Sequence, residues 1–138
     1  MSKKTLHILW VNDNPITAEN MVFMYATNAL LQGWWKKVHL IIWGATVKLI
    51  CDDAKLQELL KKFHDAGGHV SACKRCAENL GCLEQIEKVE GVDEVFHRLH
   101  RLGLHQHAHA VVGLVHVLRV RLPARGPRQR AAHAAHAL

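Results

Sequence analysis

The apolar run TLHILWV at residues 5–11 is rich in strand formers and stops at NDNP, a strong turn signal. It reads as a buried strand of a parallel sheet, apolar on both faces. Asn14 suits a helix cap, and Pro15 is tolerated at the first helical position. Val22, Tyr25, Ala26, Ala29 and Leu30 then recur at helical spacing. Met21, Phe23 and Met24 make the other side apolar too, so this helix is expected to meet a second subunit. Gly33 ends it. KVHLIIW (37–43) reads as a second strand, broken at Gly44. Asp52 or Asp53 suits the cap of the next helix, whose inward face is Leu56, Leu59, Leu60 and Phe63 and whose stop is Gly67–Gly68. HVSAC (69–73) is a short third strand. Cys76 to Leu80 makes one or two helical turns, Gly81 a break, Leu83 to Glu90 a further short helix, and Val92 to Phe96 the start of a fourth strand.

Strands and helices in this alternation imply right-handed βαβ crossovers, hence an α/β fold with an open, mainly parallel sheet and helices on both faces. Such sheets bind ligands beyond the carboxyl ends of their strands. Here those ends are Asn12–Pro15, Trp43–Ala45 and Cys73–Cys76. Asn12, Asp13, Asn14, Trp43, Gly44, Lys74 and Arg75 are therefore candidate ligand-binding residues. A plain turn and helix cap accounts for Asn12, Asp13 and Asn14 equally well.

The chain's 138 residues suffice for one domain with a real core. No stretch supplies the roughly 20 apolar residues of a membrane helix. The opening MSKKTLHILWVND resembles a signal peptide only until Asn12 interrupts it. A cytoplasmic protein with reduced thiols is expected. The formal charge of +6 is unevenly placed: the seven arginines 98, 101, 119, 121, 125, 128 and 130 follow the last acidic residue, Glu94. A near-neutral domain, residues 1–96, is thus joined to a basic tail, residues 97–138.

Three of the four cysteines lie in HVSACKRCAENLGC, residues 69–82. Cys73 leaves a strand where the chain turns into a helix, and Lys74 and Arg75 follow it. That setting predicts a partly exposed thiol of lowered pKa, the thiolate being the nucleophile. Cys73-x-x-Cys76 also has the spacing of a dithiol–disulfide pair, though CKRC lacks the Gly or Pro of thioredoxin-like sites. A zinc site would draw on Cys73, Cys76, Cys82 and His69. Cys51 and Cys82 read as packing residues. No nucleotide-binding glycine motif and no Ser/His/Asp constellation is visible, and Trp34–Trp35 reads as a packing or interface element. No cofactor and no resident metal is expected.

LHILWVNDNPITAENMVFMYATNALLQGWWKKVHLIIWGATVKLI followed by GGHVSACKRCAENLG resembles the DsrE/DsrF-like family of small sulfur-metabolism proteins, over roughly residues 5–96. The resemblance implies a flavodoxin-like three-layer sandwich and a homo-oligomer, trimer or hexamer. It implies that Cys73 accepts and passes sulfane sulfur as a persulfide, with Cys76 as an assisting thiol. The partners implied are sulfur donor and acceptor proteins. Membranes are not expected as partners, and nucleic acid only weakly, through the tail arginines. The tail departs from the family pattern. Its Ala, Gly, His, Leu, Val, Arg, Pro and Gln composition resembles a GC-rich gene translated out of frame; a native basic extension or vector-derived sequence are the alternatives. A poorly ordered tail is expected, with Leu118, Val120 and Leu122 as a conceivable edge strand.

Overall fold

The computed structural model describes residues 3–97 and 109–112, with side chains for 5–97. The parallel strands β1 (Lys3–Trp10), β2 (Trp35–Ile42), β3 (His69–Cys73) and β4 (Glu94–Phe96) lie side by side in chain order. A short strand, β5 (His109–Val112), pairs in parallel with the free edge of β1. The fold is α/β with an all-parallel sheet flanked by helices, as the sequence predicts. The helices expected on the second face are not among the described residues, and the expected edge strand at Leu118–Leu122 falls outside them.

Between β1 and β2 the chain forms one continuous helical segment: α1 (Pro15–Thr17), a π-helical stretch (Ala18–Phe23) and α2 (Met24–Leu31). Asn14 caps it, its Oδ1 accepting the Thr17 N–H at 3.0 Å. The π turn changes the inward face from the one read by period. A wider turn brings Val22 and the adjacent Phe23 to the sheet together, while Tyr25 is left exposed.

Helix α3 (Ala45–Asp52) was not expected, and its β-branched Thr46, Val47 and Ile50 explain why: they are weak helix formers, held here by full burial. Asp53 then takes an extended conformation and caps α4 (Ala54–Asp65) through Leu56 N–H at 3.0 Å. Leu56, Leu60 and Phe63 are buried as expected. Gly67–Gly68 end α4, and Gly68 lets the Phe63 ring pack directly on the backbone, where a Cβ would overlap it. Helix α5 (Lys74–Asn79) starts two residues earlier than the sequence suggests, and α6 (Leu83–Ile86) is shorter.

The crossovers β1–β2–β3–β4 all step the same way, so right-handedness places their helices on one face of the sheet. That face carries Leu6, Ile8, Trp10, Val38, Leu40, Ile42, Val70 and Ala72, all buried. Trp10 meets Phe23 edge-on, ring centres 5.3 Å apart. The alternate positions of β1 to β4 form the other face. It is less uniformly apolar than expected: His7, His39 and His69 stand in one row there, followed by Ser71 and Glu94.

Candidate functional site

The carboxyl ends of β1, β2 and β3 meet along one edge and are stitched together by backbone groups. Trp43 N–H donates to Trp10 O at 3.1 Å. The buried Thr46 hydroxyl reaches both Trp10 O, at 2.7 Å, and Trp43 O, at 2.9 Å. Asn12 and Asn14 spend their side-chain oxygens inside the loop: Asn12 Oδ1 accepts Asn14 N–H at 2.9 Å, and Asn14 is the cap already described. Asp13 is exposed beside them. These three form a turn and a helix cap at the edge.

Cys73 ends β3 and caps α5, its Sγ accepting Cys76 N–H at 3.4 Å. This cap spacing folds Cys76 back over Cys73, and Cys76 S–H donates to Cys73 Sγ at 3.0 Å. Gly44 N–H, in the neighbouring loop, donates to Cys76 Sγ at 3.3 Å. Gly44 has φ of 68°, a left-handed conformation that favours glycine and turns its N–H toward the thiol. Of the expected site residues the structure thus brings together Cys73, Cys76 and Gly44, with Trp43 alongside. Both thiols are free.

The expectation of an exposed, acidic Cys73 is overturned. Cys73 is only 6 % exposed. Burial, then the hydrogen bond from the Cys76 side chain, push its pKa up to about 11, outweighing the opposing Cys76 N–H. The basic followers do not rescue the thiolate: Arg75 is exposed and turned toward Glu78, 3.8 Å away. A cysteine zinc site is not assembled either. Cys82 is buried against Cys51, whose Sγ lies 4.0 Å from Cys82 O, and burial with the Cys82 thiol pushes Cys51 up to about 12. His69 belongs to a different cluster.

That cluster lies on the sheet's other face, and the sequence reading missed it. His7 Nδ1 and His39 Nδ1 are 3.2 Å apart, and His39 Nε2 is 2.6 Å from Ser71 Oγ, which donates to Glu94 Oε1 at 2.8 Å. His69 lies 3.4 Å through Nε2 from Glu94 Oε1 and 3.3 Å through Nδ1 from Asp93 Oδ2. Asp93 also accepts from His64 and from Val70 N–H. Burial, followed by the neighbouring His69 and His7, lowers the His39 pKa to about 4 and keeps it neutral. The available signal was one histidine in each of three predicted strands, TLHILWV, KVHLIIW and HVSAC, which parallel pairing aligns.

No protein-family model and no curated protein sequence matches the chain. Two solved structures do. BT1422, a conserved protein of unknown function from Bacteroides thetaiotaomicron, is 32 % identical with a TM-score of 0.70, over 78 % of this chain and 92 % of its own. The E. coli protein YchN shares the fold at 15 % identity and a TM-score of 0.55, over 81 % of this chain and 98 % of its own. Among the described residues no helix is long and apolar enough to cross a membrane.

Proposed function

We propose a paired-thiol function for this chain, which belongs to the family of the Bacteroides thetaiotaomicron protein BT1422: it accepts and passes sulfane sulfur at Cys73, with Cys76 as the assisting thiol. The observation that carries this reading is the 3.0 Å separation of the two Sγ atoms at the ligand-binding edge of the sheet. The likeness of the fold to YchN is in keeping with it.

In the accepting step Cys73 Sγ attacks the outer sulfur of a donor persulfide. The bond from that sulfur to the donor breaks, and the departing thiolate takes the Cys73 proton. An acceptor thiolate then removes the terminal sulfur and regenerates Cys73. With no acceptor, Cys76 attacks Cys73 Sγ, expels hydrosulfide and leaves a Cys73–Cys76 disulfide, which two equivalents of a small thiol reduce. The raised pKa makes free Cys73 a slow nucleophile, so a basic group of the donor protein takes the Cys73 proton as attack begins and passes it to the departing thiolate.

A dithiol–disulfide switch is the second reading, favoured by the burial of Cys73. Intact mass after incubation with a sulfane-sulfur donor separates the two. A reductant-sensitive gain of one sulfur, absent in Cys73→Ser and longer-lived in Cys76→Ser, supports the carrier. Disulfide formation without sulfur gain in any variant moves the assignment to the switch. We place the chain in the cytoplasm as a homo-oligomer, trimer or hexamer. Exposed apolar Met24, Leu31 and Trp34 on and just after α2 support the assembly.

A further inference from the structure

We propose that His39, His69 and Glu94 form a binding site for a divalent transition metal of the zinc type, on the face of the sheet opposite the described helices. One ligand atom from each lies within 4.8 Å of the other two, the one such group of three or more among the described residues. The residues come from β2, β3 and β4, so the rigid sheet sets their spacing. Ligands about 2.05 Å from a tetrahedral zinc are about 3.4 Å apart. His69 Nε2 and Glu94 Oε1 already stand at 3.4 Å, and His39 Nε2 is separated from Glu94 by the Ser71 hydroxyl.

The surroundings orient these atoms for a cation. His69 is hydrogen-bonded through Nε2 to Glu94 Oε1 at 3.4 Å, and its Nδ1 lies 3.3 Å from Asp93 Oδ2, so metal binding needs the ring proton on Nδ1, beside Asp93, with Nε2 free to ligate. The cation then takes the place of that proton between the ring nitrogen and the carboxylate. Asp93 is itself anchored by Val70 N–H and His64, so it holds the ring as carboxylates hold metal-bound histidines. His39 Nδ1 lies 3.2 Å from His7 Nδ1, so its other nitrogen, Nε2, is the one presented to the site. Binding requires His39 to move its proton from Nε2 to Nδ1, where it donates to His7, while Ser71 keeps its bond to Glu94. Two imidazoles with one carboxylate favour zinc and its neighbours over magnesium or calcium. His69 and Glu94 are 50 % and 47 % exposed, which provides the entry path and leaves a fourth position for water or a ligand.

The test is zinc titration of the full chain against a competing chelator strong enough to strip the weak sites offered by the tail histidines. Wild type retains one equivalent. His69→Ala and Glu94→Gln, both at half-exposed positions, lose it, with affinity falling about a hundredfold or more, and a Cys73→Ser/Cys76→Ser double variant keeps it. The His69 ring nitrogens shift on zinc addition in the wild-type NMR spectrum. The proposal is overturned if wild type retains no zinc. It is equally overturned if both ligand variants bind as wild type does, or if the cysteine variant loses the equivalent instead.

Discussion

Cys76 Sγ lies 3.0 Å from Cys73 Sγ because a four-residue strand-to-helix corner makes Cys73 the cap and Cys76 the third helical residue. Disulfide bonding needs about 2.05 Å, so the sulfurs must close by about 1 Å. A mild oxidant should therefore produce an intramolecular Cys73–Cys76 disulfide, seen as the loss of two hydrogens and mapped by peptide mass. Either Ser variant should abolish it.

The alkylation rate of Cys73 should climb steeply with pH beyond neutrality and level off near 11, where its thiolate dominates. Cys76→Ala removes the side-chain hydrogen bond and the neighbouring thiol, both of which raise the Cys73 pKa, so the midpoint should fall. A rate profile that levels off near pH 7 in wild type would contradict the buried, neutral thiol. The same shift bears on stability. Because the folded pKa lies above the unfolded one, folded Cys73 keeps its proton while the unfolded chain loses it, and stability declines as pH rises from about 9 to about 11.

Thr46→Val should cost about 1–3 kcal/mol, read as a lower urea midpoint at unchanged slope. The hydroxyl is fully buried and joins Trp10 O to Trp43 O, and valine keeps the shape while leaving Trp43 O short of a donor.

Gly68→Ala should destabilise by about 1–3 kcal/mol through overlap with the Phe63 ring. The penalty should shrink in a Phe63→Leu background, which the double-mutant cycle reads directly. Equal penalties in both backgrounds would place the strain elsewhere.

Leu31→Glu should dissociate the proposed homo-oligomer, because Leu31 is 66 % exposed on α2 and a charge there opposes apolar association. Sedimentation of wild type and variant, both at micromolar concentration, gives the masses.

Several features of this protein could be read from the chain alone. The Asn14–Pro15 helix start, the Asp53 cap and the Gly67–Gly68 stop depend on local dihedral and hydrogen-bonding preferences, and so are written in neighbouring residues. The order of strands and helices follows from hydrophobic period, and it implied the parallel sheet and the edge where Cys73 and Cys76 stand. Other features were set by distant partners. The π turn at Ala18–Phe23 and the helix built on Thr46, Val47 and Ile50 exist because burial against the sheet outweighs local preference. Cys73 is a high-pKa thiol because folding removes its water, which its charged neighbours in sequence could not foretell. His39, His69 and Glu94 are far apart along the chain, and only the lateral register of β2, β3 and β4 brings them within reach of one ion.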